Sequence, residues 1–218
     1  IEKNGPLSDN QPSKLLEIQK RATELYELAL SGLKGAVEKP SLERSLRIQF
    51  QLGRLYTDQG VFDKATAVWK KLSQQNKYRE IRDEAALRLA ENYEISAVKE
   101  DLQQAAHLYD IVLTECQKPL LCSYVQYRRG WVSHRLGQSD DGVRFLVKSL
   151  SQADPSSIRE ILNDLILFLS HSSEPAEKAI SILEKYQAQY NRLDLVERLA
   201  SSYFTADHRG AYAVVIQY

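Results

Sequence analysis

LRIQFQLGRLYTDQGVFDKATAVWKKL, residues 46–72, holds two helical patterns that meet at Gln59 and Gly60. The first carries Leu52, Gly53, Leu55 and Tyr56. The second carries Ala65, Val68, Trp69 and Leu72 at intervals of three and four, the spacing of one helix face. Gly60 stands where the chain must turn back, because glycine tolerates the left-handed backbone that ends a helix. Gly53 and Ala65 are small residues expected on facing sides of the two helices, which lets the axes come close while Tyr56 and Trp69 fill the space beside them. The stretch predicts a compact helical hairpin.

The same step returns along the chain. Ala90 and Tyr93 repeat Gly53 and Tyr56; Ala105, Tyr109 and Val112 repeat Ala65, Trp69 and Leu72. Gly130, Gly137 and Gly142 recur at the spacing of Gly53, Gly60 and Ala65, and Ala200 with Tyr203 starts the step again. A helical pair recurring every ~34–40 residues is the signature of a stacked solenoid. On Leu52, Gly53, Tyr56, Gly60, Ala65 and Trp69 the chain resembles the tetratricopeptide repeat family, with departures at Ser133, Gly142 and Gln49 where tyrosine, alanine and a large residue are usual. The resemblance implies an all-α fold, a right-handed α-solenoid of antiparallel helix hairpins, and a non-enzymatic scaffold for protein–protein interaction. It says almost nothing about the ligand.

Taken in order, residues 1–11 read as a flexible leader and residues 12–218 as the solenoid. The helix over 12–33 is either a cap, the second half of an incomplete repeat, or a plain amphipathic helix packed on the first hairpin. Helices follow at about 41–58 and 62–75, 80–95 and 100–117, 119–136 and 140–152, and 156–170 and 175–188, with a last pair from Leu193 that reads as truncated at 218. Three extra residues between Tyr93 and Ala105 are expected to lengthen a loop. All six prolines fall outside the predicted helix interiors, where proline loses a hydrogen bond and clashes. Residues 161–169 form the most apolar helix, expected to be buried or to press on something beyond the chain.

Basic and acidic residues balance at 29 each, so no global field draws the chain to nucleic acid or an acidic membrane surface. The run of 18 apolar residues that a transmembrane helix needs is missing. The four histidines, His107, His134, His171 and His208, have no zinc-helix spacing, and neither a phosphate-cradling glycine loop nor a nucleophile elbow occurs. These features point away from an enzyme, a cofactor or a metal site. Cys116 and Cys122 are the only cysteines, spaced across a turn: a bridge there would imply an oxidising compartment, while the other reading is two buried thiols. They tilt location toward a bacterial periplasm or cell envelope.

The first helix of each pair is expected to line a wall that receives a protein or peptide. Its outward residues are Arg47, Phe50, Arg54 and Asp58; Glu84, Leu87, Glu91 and Glu94; Tyr124, Tyr127, Trp131 and Arg135; and Asp194, Glu197, Ser201 and Phe204. Candidate partner-binding residues are Tyr124, Tyr127, Trp131, Arg135, Phe50 and Arg54. The competing reading puts the aromatic trio in a seam against the preceding hairpin, beside Tyr109. At the level of the whole chain, the alternative is a structural subunit of an envelope assembly that stacks end to end, with further repeats beyond Tyr218.

Overall fold

The computed structural model describes residues 11–35, 42–96 and 98–218; the expected leader lies outside them apart from its last residue. The described residues form eleven α-helices and no strand: α1 (Gln11–Gly35), α2 (Leu42–Asp58), α3 (Phe62–Leu72), α4 (Arg79–Ile95), α5 (Lys99–Thr114), α6 (Pro119–Arg135), α7 (Ser139–Leu150), α8 (Ile158–Ser170), α9 (Ala176–Tyr190), α10 (Leu195–Thr205) and α11 (Arg209–Gln217). The chain divides into two compact units, residues 1–92 and 93–218. In the first, α1 packs on α2 and α2 pairs with α3. In the second, α6 pairs with α7 and α10 with α11, while α5 packs on α6, α7 on α8 and α8 on α10. Antiparallel helix pairs following one another in this way make a helical-repeat, solenoid-type fold.

Three of the turns inside the pairs share one geometry. Gly60 has φ +71° and Gly137 φ +78°, the left-handed region. The next amide reaches back five residues, Val61 N–H to Tyr56 O at 2.8 Å and Gln138 N–H to Ser133 O at 2.9 Å. This closes the carbonyls a helix end leaves open. The α10–α11 turn does the same with Asp207 at φ 57°, and His208 N–H bonds Tyr203 O at 2.9 Å. A polar side chain that tolerates left-handed backbone stands in for glycine there. The three residues added before Ala105 do not enlarge the loop. The turns after Asp58 and after Ile95 each span three residues, and the insertion instead gives α5 an extra N-terminal turn.

At Gly53 the nearest neighbour is the Trp69 ring: a Cβ on Gly53 would lie 2.7 Å from it. Trp69 is fully buried and its Nε1–H donates to Thr57 Oγ1 at 3.2 Å, so glycine makes room for the largest core side chain of the pair. In α6 and α7 two glycines meet instead. A Cβ on Gly142 would come within 3.2 Å of Gly130 O and 2.8 Å of the Phe168 ring. Gly53→Leu is therefore expected to cost ~1–3 kcal/mol through overpacking, read as a lower urea midpoint with unchanged m-value.

The apolar helix α8 is covered within its own unit. Ile161, Leu162, Leu165, Ile166, Phe168 and Leu169 join one core with Leu146, Leu183, Leu195 and Leu199. Its hydrophobicity is accounted for by neighbours on both sides.

Candidate partner-binding site

In the first unit, α1, α2 and α4 enclose an open cleft of about 500 Å³ lined by Tyr26, Ile48, Phe50, Gln51 and Ile81, with Arg44 and Arg47 along one wall and Glu80 and Glu84 along the other. The register explains it. Leu46, Gln49, Leu52, Gly53 and Tyr56 of α2 turn into the core, which leaves Arg44, Arg47, Ile48 and Gln51 on the opposite face. Phe50 stands between the two, its ring edge-on to Trp69 at 5.1 Å. Arg47 is held by Glu43 at 2.7 Å, and Arg88 joins Glu84 at 2.8 Å and Glu91 at 2.9 Å. Ile48 and Ile81, absent from the sequence candidates, make the apolar floor. Arg54 is exposed and does not line the cleft.

Among the other wall residues, Leu87 and Glu94 are buried, at 3% and 7% exposure, and cannot face a groove. Glu94 is the centre of a buried network in the second unit. Tyr109 donates its hydroxyl to Glu94 Oε2 at 2.7 Å, and Arg128 reaches the same oxygen at 2.9 Å. Burial, and then the Glu94 charge, push the Tyr109 phenol well above its ordinary range. Arg135 donates to the Glu94 carbonyl and, at 2.9 Å, to Ser96 O, so this candidate closes the carbonyl end of α4.

Tyr127 and Trp131 turn toward α8, the helix that follows, and not toward the preceding hairpin. Tyr127 donates to Asp164 Oδ2 at 2.7 Å and Trp131 Nε1–H to the same atom at 3.0 Å. The Trp131 ring meets Phe168 edge-on at 5.0 Å. Burial pushes the Asp164 carboxyl up against the pull of these two bonds. Tyr124 is 41% exposed and Phe204 71%. Between α8 and α10 a smaller cleft of about 400 Å³ is lined by Asn163, Leu167, His171, Arg198, Ser201 and Thr205.

Two histidines far apart in sequence come together here. The His134 ring stacks on Phe168 at 4.3 Å and meets His171 at 5.5 Å, while His134 Nδ1 pairs with Ser139 Oγ at 3.0 Å. Burial, then the His171 charge, lower the His134 pKa. The unfolded chain thus binds the proton more readily, so the contribution of neutral His134 is full above pH ~6.5 and is lost as pH falls below it. The urea midpoint is expected to drop between pH 7 and pH 5, and His134→Phe is expected to flatten that slope. Among the described residues no group of three or more His, Cys, Asp or Glu side chains could hold a metal.

Cys116 and Cys122 are disulfide-bonded, with Cα atoms 5.7 Å apart, tying the end of α5 to the first turn of α6. No described helix is long and apolar enough to cross a membrane.

No protein-family model matches the chain, and no curated protein matches it in sequence. Solved structures do. The nearly identical TPR-like repeats of a candidate kinesin light chain from Podosopora anserina superpose with TM-score 0.53 at 18% identity, over 79% of this chain and 91% of that one. BtubC (BKLC) from P. vanneervenii superposes with TM-score 0.57 at 14% identity, over 96% of this chain and 89% of that one. At these identities the likeness is one of fold, and it places the chain among structures built from TPR-like helical repeats.

Proposed function

We propose that this chain is a non-enzymatic interaction scaffold of tetratricopeptide-repeat type, and that the α1–α2–α4 cleft receives a peptide or helix of a partner protein. The observation that carries this is the cleft itself: an apolar floor of Ile48, Phe50 and Ile81 between a basic wall and an acidic wall. Such a groove suits a segment with an apolar spine and opposite charges on its two edges. A displayed library of twelve-residue peptides, selected on the full chain, should yield binders that lose at least tenfold in affinity to Ile81→Glu. Selections that enrich the same sequences on both proteins, or none, would end this reading. In this scheme residues 12–33 act as the cap of the array. The disulfide supports a working location in an oxidising compartment such as a bacterial periplasm or envelope.

A further inference from the structure

We propose that the Cys116–Cys122 disulfide is an exchange site, where a small carboxylate-bearing thiol attacks Cys116 Sγ and stays there as a mixed disulfide. This goes beyond the α1–α2–α4 cleft and does not depend on it. The bridge is not sealed in the core. Both cysteines line an open cavity of about 450 Å³ in the second unit, with Thr114, Gln117, Gln126 and Lys148 among its other walls. Sites for small molecules run from ~300 to 1,000 Å³, so an adduct of tripeptide size has somewhere to sit. The two sulfurs differ in their electrostatic surroundings. Cys116 follows the C-terminal end of α5, where open carbonyls carry partial negative charge. Glu115 stands beside it in the chain, and the last turn of α5 holds no basic residue to offset either. Cys122 lies in the first turn of α6, the positive end of a helix dipole. That turn holds no acidic residue, and Lys118 at the N-cap makes no side-chain cap bond. A negative charge is better held at Cys122 than at Cys116.

Exposure points the same way. Cys116 is half-buried while Cys122 is 6% exposed, so an incoming thiolate meets Cys116 first. Thiol–disulfide exchange needs an attacked sulfur that can be reached and a leaving sulfur that carries charge well, and the bridge supplies one of each. The incoming thiol first loses its proton to solvent. Its thiolate then bonds to Cys116 Sγ, the Cys116–Cys122 bond breaks, and the electron pair of that bond leaves on Cys122 as thiolate. The step consumes nothing else, because the thiol itself becomes half of the new disulfide. Lys148 gives the preference for a carboxylate on that thiol. Its Nζ lies 5.7 Å from the Phe145 ring centroid, and it forms no ion pair among the described residues. Asp110, the carboxylate that lines the same cavity, is occupied by Arg129 at 2.9 Å. A carboxylate carried into the cavity by the thiol therefore finds an uncompensated ammonium there.

The test is to incubate the oxidised full chain with reduced glutathione, quench with iodoacetamide, and map the peptides by mass spectrometry without reduction. Glutathione is expected on Cys116 and the alkyl group on Cys122, in at least about tenfold excess over the reverse isomer. Neutral 2-mercaptoethanol serves as the comparison thiol. Lys148→Glu, a change at an exposed side chain, should lower the ratio of the glutathione rate to the 2-mercaptoethanol rate by about threefold or more. Circular dichroism under the same conditions checks that the chain stays folded. Adducts shared evenly between the cysteines or mainly on Cys122 overturn the proposal, as does an adduct that forms only in urea. Two free thiols in the oxidised chain overturn it as well. A rate ratio left unchanged by Lys148→Glu overturns the preference for a carboxylate.

Discussion

Arg128→Met is expected to lower the stability of the second unit by ~3–5 kcal/mol. The reason lies in what it leaves behind. Glu94 has a side chain only 8% exposed, and among the described residues Arg128 is its one ion-pair partner within hydrogen-bond reach, at 2.9 Å. Tyr109 donates one bond to the same oxygen, but a phenol does not neutralise a charge. Methionine matches the stem of arginine and keeps its packing, so the loss reports the stranded carboxylate and not a cavity. Urea unfolding at pH 7 measures it. The double variant Arg128→Met, Glu94→Gln should recover most of the loss, since a buried neutral amide costs far less than a stranded carboxylate. A loss below about 1 kcal/mol in the single variant would mean that the pair is solvated.

That network also shows where the sequence stops being readable. The residues that set helix geometry were legible because each acts through its own backbone: Gly60 and Gly137 close their turns, and the described prolines, Pro12, Pro119, Pro155 and Pro175, stay out of helix interiors. Gly53, Gly130 and Gly142 gave the repeat register, yet not what they make room for. A glycine announces a close approach without naming the neighbour, which proved to be Trp69 in one pair and a second glycine in the other. Asp207 went unnoticed as a turn residue because aspartate takes left-handed backbone too rarely to signal it. The insertion before Ala105 carried the helix-compatible run Lys99-Glu100-Asp101, with acidic groups suited to a first turn, and so lengthened α5 in place of the loop. Glu94 sat at an outward position by simple register. Tyr109 and Arg128, 15 and 34 residues away, make its burial tolerable, and only the fold brings them together. The histidine pair is the same case. Of the residues that line the cleft, Phe50 is among the sequence candidates, while nothing in the sequence sets Ile48 and Ile81 apart from other helix-face aliphatics.

Trp131→Ala should separate seam from groove. The ring is part-buried, packs edge-on against Phe168 and His134, and donates to Asp164 across to α8. Removing it takes away a large apolar contact and one of the two bonds that hold a carboxyl already raised by burial. A tryptophan deletion in such a seam costs ~3–5 kcal/mol, and with part of this ring exposed the lower end is expected. Tyr127→Phe, which removes only the other bond to Asp164, should cost ~1 kcal/mol. The thermal midpoint should fall in that order while peptides selected on the α1–α2–α4 cleft keep their affinity, because the cleft belongs to the other unit. The opposite pattern would be a melting curve left intact by Trp131→Ala and a thirtyfold loss of peptide affinity, ~2 kcal/mol. It would move the binding site to the α6 aromatics and make the seam contacts incidental. A large loss of stability with full affinity assigns Trp131 to holding α6 on α8, and leaves recognition to Ile48, Phe50 and Ile81.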